Sequence, residues 1–252
     1  MRKFLTFAIL MILWAARAVP LAQKSAPPKG QISVAEILDR HAVATGGLDA
    51  WRALQTLDAH GTFGAPGFHD SGDFDFYYKA PASDVFELDM ISQGLSWFGH
   101  DSGTVFFKHS AGGIGALNAV TVNVLEANWL GLIESEFSQH YTRIELVGLS
   151  SIRGKWAYAL RFTPKMGDAH LRYYDCESFL LVQMDLAQRI RLQKDGQEYA
   201  YKVETYYSDY RNSGGIKFPR RMTATSSGGD VVLEVHKIRT NGVIADSVFQ
   251  KK

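Results

Sequence analysis

The sequence predicts an α+β domain in which a few helices cover one face of a large antiparallel sheet. Three observations lead there. Apolar residues recur at helical spacing between Ser33 and Gly47, and from Thr56 onward they alternate with period two in one run after another. One long apolar stretch, Ala116 to Tyr141, then interrupts the strand series, and its second half reads as helical. Helices in front of and between runs of strands are the order of an α+β domain.

The first helix is marked by Ser33 as N-cap, Glu36 three residues on as the second half of a capping box, and Gly46-Gly47 as the stop. Val34, Ile37, Leu38, Ala42 and Val43 form its apolar face. A short second helix, Asp49 to Leu54, carries Trp51 and Leu54. In the strand region Phe74, Phe76 and Tyr78 alternate with Asp73, Asp75 and Tyr77, and Phe86, Leu88 and Met90 with Glu87 and Asp89, around a turn at Lys79-Ala80-Pro81-Ala82. Trp156, Tyr158, Leu160 and Phe162 share a face opposite Lys155 and Arg161. Tyr199 to Tyr207, Lys217 to Thr225 and Val231 to Ile238 are further strands, punctuated by Gly214-Gly215 and Gly228-Gly229. Asp209 reads as a turn residue accepting backbone hydrogen bonds, and Pro219 as a strand start or edge.

The chain has 252 residues, 46% hydrophobic and 21% charged, the make-up of a globular protein. Residues 1–18 read as an export signal: Arg2 and Lys3 precede an apolar run from Phe4 to Ala16, and Ala16-Arg17-Ala18 offers small residues for cleavage after Ala18. An uncleaved anchor is the competing reading, but the run falls short of the roughly 20 residues of a membrane span. Residues 19–31, with Pro27, Pro28 and Gly30, have linker composition, and 32–252 form the domain. No Cys follows the apolar run, so no lipid attachment is expected there, and the mature protein is expected in the periplasm without a transmembrane span. Loss of Arg2, Lys3 and Arg17 takes 27 basic residues to 24 against 26 acidic ones, and the net charge from +1 to −2. A nucleic-acid partner, which needs a concentrated basic surface, is not expected.

Chemistry-bearing motifs are absent: no G-x-S-x-G elbow, H-E-x-x-H helix, phosphate-cradling glycine loop or C-x-x-C pair occurs. The lone Cys176 sits between Asp175 and Glu177, which disfavour its thiolate. His69-Asp70 and His100-Asp101 are adjacent pairs, which a strand would point to opposite faces. No catalytic residue, metal ligand or cofactor is assigned.

Several segments resemble one known family: Ile37-Leu38-Asp39-Arg40 leading to Thr45-Gly46-Gly47 and Trp51; Glu145-Leu146-Val147-Gly148; Ala157 through Lys165; Tyr173-Tyr174-Asp175 with Leu180-Leu181-Val182; Glu204 through Arg211 with Gly215 through Pro219; and Asn241, Asp246 and Phe249. They are similar to the LolA-like and LppX-like periplasmic lipoprotein carriers, in particular the distant outer-membrane lipoprotein-sorting proteins. The resemblance implies a half-open antiparallel β-barrel, a strongly curved sheet with helices across its concave face and mouth, around an apolar cavity that shields acyl chains. On that reading the cavity and lid take Trp51, Phe74, Phe76, Phe86, Leu88, Trp129, Leu130, Ile133, Phe137, Tyr158 and Leu160. Arg40 and Arg52 are the polar candidates for holding the lid.

The expected function is non-enzymatic binding or carriage of a hydrophobic acyl-chain ligand, lipid or lipoprotein, in the periplasm. The same aromatic stripe suits a barrel filled by its own side chains, whose surface or edge strand binds another envelope protein. An unrecognised hydrolase is the third reading, for which no nucleophile and base can be paired. The signal reading makes its own prediction: N-terminal sequencing of exported material should begin at or near Val19, and an intact Met1 would contradict it.

Overall fold

Ser33 starts the first helix, α1 (Val34–Ala44), by accepting the Glu36 N–H at 3.1 Å on its hydroxyl. The capping box is half made, because the Glu36 carboxylate takes Arg40 at 2.5 Å. Ile37, His41 and Ala42 form the buried stripe, whereas Val43, read from the sequence as part of it, is 77% exposed. In this computed structural model the described residues are 32–80, 83–91, 94–101, 104–110, 114–115, 141–165, 168–191, 198–226 and 229–250. The signal and linker, and the interrupting segment as far as residue 140, lie outside them. Tyr141, the last residue of that segment, opens a strand.

A five-residue helix, α2 (Leu48–Arg52), delivers Trp51 into the core. Among the described residues thirteen strands follow: β1 (Thr56–Ala65), β2 (Asp70–Lys79), β3 (Ser83–Met90), β4 (Gly94–Asp101), β5 (Thr104–His109), β6 (Ile114–Gly115), β7 (Tyr141–Ile152), β8 (Lys155–Pro164), β9 (His170–Asp175), β10 (Leu181–Arg191), β11 (Glu198–Ser213), β12 (Ile216–Ser226) and β13 (Gly229–Thr240). They form one antiparallel sheet in the order β6-β5-β4-β3-β2-β1-β13-β12-β11-β10-β9-β8-β7. Among the described residues its two ends, β6 and β7, are not paired with each other, and the sheet is curved and not closed. Bulges at His60/Gly61, Leu146/Gly148 and Leu181/Gln183 supply the extra bend and twist that a long regular ladder lacks.

The inner face carries one main core: Phe74, Phe76, Phe86, Leu160, Phe162, Tyr174, Met184, Tyr207, Phe218 and Met222, with Ile37, Trp51 and Leu54 packed on it from the helical side. β8 and β9 are also covered on the other side, where Ala157, Ala159 and Tyr173 form a small second cluster. His69 is not a strand residue as the sequence suggested; it holds a left-handed conformation (φ 53°) between a 3₁₀ turn at Pro66–Phe68 and β2.

Two expectations for β11 and β12 are corrected. Asp209 accepts the side chain of Arg211 at 2.8 and 3.0 Å, in a left-handed conformation (φ 54°) inside β11. Pro219 sits within β12 opposite Tyr210, on an interior strand. It is tolerated because the β12–β13 ladder begins only at Arg221.

The Gly214-Gly215 turn is the expected two-residue hairpin, with both φ values positive (60° and 89°). It is also the seat of the α1 terminus. Lys217 N–H donates to the Thr45 carbonyl at 2.8 Å, and a Cβ on Gly46 would lie 2.2 Å from the Gly215 carbonyl oxygen. A Cβ on Gly215 would meet open space. Gly215→Ala should therefore be destabilised only by conformational strain, about 1–2 kcal/mol, while Gly46→Ala should melt several degrees lower still because the helix end must leave the hairpin. Equal melting temperatures for the two variants would contradict this contact.

Candidate functional site on the inner face

Strand alternation sets His170, Arg172 and Tyr174 on the inner side of β9, with Leu171 and Tyr173 on the other. Arg172 faces Leu160 on β8 and Met184 on β10 across the ladder and is 1% exposed. A guanidinium does not lose its charge in a protein, so a permanent cation sits among apolar walls. Its Nη2 donates to the Tyr141 hydroxyl at 2.6 Å and its Nε to His170 Nε2 at 3.3 Å. Its plane lies over the Phe162 ring, 4.4 Å from the centroid.

Among the groups around it are phenols and neutral imidazoles. Burial, reinforced by the charge of Arg172, holds His170 down to about 2. Burial likewise holds His41 down to about 3, with Arg172 adding to the effect and the bond to Phe179 opposing it. Burial pushes the Tyr174 phenol up to about 12, against the pull of Arg172, and pushes Tyr207 up as well. The Tyr207 hydroxyl is buried without a hydrogen-bond partner among the described residues, while Tyr174 lies beside Arg172. Tyr210 is satisfied, donating to the Leu181 carbonyl at 2.8 Å.

His41 joins this cluster from α1. Its neutral Nδ1–H donates to the Phe179 carbonyl at 2.7 Å, and its ring meets Tyr174 edge-on at 4.8 Å. Phe179 belongs to the β9–β10 turn, shaped by the Asp175 carboxylate, which accepts Ser178 N–H at 2.7 Å and Glu177 N–H at 3.2 Å. One turn further on, at the C-cap of α1, Thr45 Oγ1 accepts the Trp51 indole N–H at 3.0 Å, and Trp51 packs edge-on against Phe218.

No family model matches the sequence, and neither does any curated protein. Solved structures do. A DUF1329 family protein from Desulfovibrio piger superposes with a TM-score of 0.60 at 12% identity, over 88% of this chain and 98% of that one. A LolA superfamily protein from Nitrosomonas europaea gives 0.57 at 14% identity, over 88% and 99%. The fold is LolA-like.

On this LolA-like sheet the residues singled out from the sequence separate into groups. Trp51, Phe74, Phe76, Phe86 and Leu160 lie together in the buried inner core, with Leu88 and Tyr158 half-buried at its margin. Phe74 stacks on Phe86 at 5.3 Å, and Tyr158 on Phe179 at 6.0 Å. Trp129, Leu130, Ile133 and Phe137 lie outside the described residues. Arg40 and Arg52 are exposed, Arg40 paired with Glu36 and poised over Phe179, Arg52 beside Asp49. Among the described residues, polar ties between α1 and the sheet run through His41 and Thr45.

Reading the sequence alone missed Arg172, His170, His41 and the phenols of Tyr141, Tyr174 and Tyr207 around Arg172. The one signal that points to them is the alternation in His170-Leu171-Arg172-Tyr173-Tyr174. Burial and Asp175 raise the Cys176 thiol to about 11, far from thiolate chemistry. Among the described residues no group of three or more His, Cys, Asp or Glu could hold a metal, and no helix is long and apolar enough to cross a membrane.

The buried imidazoles set a pH dependence. Their folded pKa values lie below the unfolded value of 6.5, so the stability they confer is complete above pH 6.5 and is lost as pH falls toward about 3 for His41 and about 2 for His170. His41→Gln keeps a donor for the Phe179 carbonyl but cannot be protonated. Between pH 6 and 4, denaturant titrations should show wild type losing stability more steeply than this variant, by about 1.4 kcal/mol per pH unit. Parallel slopes would mean that His41 is not buried in its neutral form.

Proposed function

We propose that this chain is a non-enzymatic carrier or binder of an acyl-chain-bearing ligand, lipid or lipoprotein, acting in the bacterial periplasm. The observation that carries this reading is the continuous apolar and aromatic inner face, from Phe74 and Phe86 across to Leu160 and Phe162, on a curved sheet left open between β6 and β7. An acyl chain laid on such a face gains about 0.8 kcal/mol for each methylene removed from water. Trp51, Phe74, Phe76, Phe86, Leu88, Tyr158 and Leu160 are the proposed lining. Many of these side chains are buried, so uptake requires the inner face to open. α1, tied to both the β9–β10 and β11–β12 turns, favours access along the margin near Leu88 over access beneath the helix.

One observation favours the alternative, an envelope domain that binds another protein. The terminal strand β7 exposes Leu146, Val147 and Leu149 beside its outer edge, and exposed edge strands readily pair with other chains.

Native mass spectrometry of gently extracted protein, together with binding of a fluorescent acyl reporter, separates the two. The carrier should copurify with lipid and bind the reporter. Leu88→Glu should weaken that binding at a stability cost near 1 kcal/mol, whereas Leu160→Glu, which buries a charge, should cost several kcal/mol. A clean apoprotein that binds no reporter would exclude the carrier.

A further inference from the structure

We propose that the inner side of β7 is an open seat for an acyl chain, a strip of Leu146 and Leu149 continued by Tyr158 and Phe179, on which the chain lies before any of the buried core has to move. This rests on the carrier reading and assigns it a second margin, at the β7 end of the sheet. Leu146 stands opposite Leu160, Leu149 opposite Tyr158, and Ile144 opposite Phe162. Directly paired residues share a face, so these side chains belong to the inner one. Leu160 and Phe162 are core residues at 0% exposure, with Ile144 and Tyr158 packed against the core. Leu146 and Leu149, one register step away, are 38% and 39% exposed. Tyr158 stacks on Phe179 at 6.0 Å, and both are half-buried beside α1, whose Arg40 lies over the Phe179 ring at 5.0 Å.

Six large hydrophobic residues are exposed among the described residues, and three of them, Leu146, Val147 and Leu149, fall within four positions of β7. Scattered singly such residues are ordinary, but clustered they mark a surface that something covers. Two features select a chain lying on the face over a strand added at the edge. The bulge at Leu146/Gly148, where Gly148 has φ 147°, interrupts the regular spacing of backbone groups that an added strand needs. A strand added beyond β7 would also leave the inner side of the two leucines uncovered. An acyl chain is narrow, needs no hydrogen-bond partner and continues from the strip onto the apolar face beside it. The cation at the strip, Arg40, is already paired with Glu36, so the seat selects the chain and leaves the head group outside.

The test measures binding of a fluorescent acyl reporter to the purified protein, with melting temperature and sedimentation on the same samples. Leu146→Gln and Leu149→Gln, which add no charge, should each weaken binding about three- to tenfold, and the double variant about tenfold or more. Their melting temperatures should stay within a few degrees of wild type, because both positions are open to solvent. Full binding in the double variant would overturn the β7 seat and leave the carrier standing, with Leu88→Glu still reporting on the other margin. A double variant that melts as low as Leu160→Glu would overturn it too, since the leucines would then be core covered by the chain itself. So would a wild-type dimer that dissociates in the double variant, which would make a second copy the occupant. Should the reporter not bind wild type at all, both readings fall.

Discussion

The placement of α1 depends on a hydrogen bond between segments 138 residues apart, from the neutral ring of His41 to the carbonyl of Phe179, and much of the surrounding structure serves to make that bond possible. The β9–β10 turn is folded around the Asp175 carboxylate so that Phe179, in a left-handed conformation (φ 58°), offers its carbonyl to the helix. Tyr174 packs against the imidazole, and burial keeps the ring uncharged. The same C-terminal end of the helix is also held by Thr45 and Gly46 against the Gly214-Gly215 turn. A helix of 11 residues would be marginal in isolation. Here it is held at two hairpins and stabilised by the core it covers.

The same arrangement explains why the inner face is chemically uneven. A wall of Leu, Phe and Met distinguishes ligands mainly by size, because apolar contacts have no direction. Arg172 and its phenols are directional groups, and they sit where solvent does not screen the charge. The salt bridges at the surface, such as Arg40–Glu36 and Arg211–Asp209, are exposed pairs that contribute little to stability.

Much of the fold was legible because one face was apolar and the other polar. That held for α1, for β2 and β3, for β8, and for the Gly214-Gly215 hairpin, where paired glycines mark positive φ. It failed where burial is not one-sided. β9 is covered on both faces, so Leu171 and Tyr173 look as much like the core as Tyr174 does, and Arg172 looks like a surface residue. β7 is largely exposed and shows no apolar stripe. The candidate aromatic residues were legible as core, but the polar centre was not: Arg40 and Arg52 stand out as cations on a helix, whereas His41 fills a place in the apolar stripe that reads as a break in the pattern.

The order of the strands has a consequence for how the chain assembles. Every neighbouring pair in the sheet is consecutive in sequence except β1 and β13, where Leu57 faces Thr240. The sheet is thus two meanders, β1–β6 and β7–β13, joined along one seam. Each meander can zip up through short-range hairpins, while the seam must bring distant segments together, the slow class of contact in folding. Asn241 ties off the end of that seam, accepting Gln55 N–H at 2.7 Å and donating to the Ala53 carbonyl at 3.1 Å. Since β1 and β13 already lie side by side, a circular permutant that links the segment after β13 to α1 and opens the chain between β6 and β7 would leave only that segment, α1 and α2 between the two strands, and the longest-range pairing of the sheet would become a much shorter one.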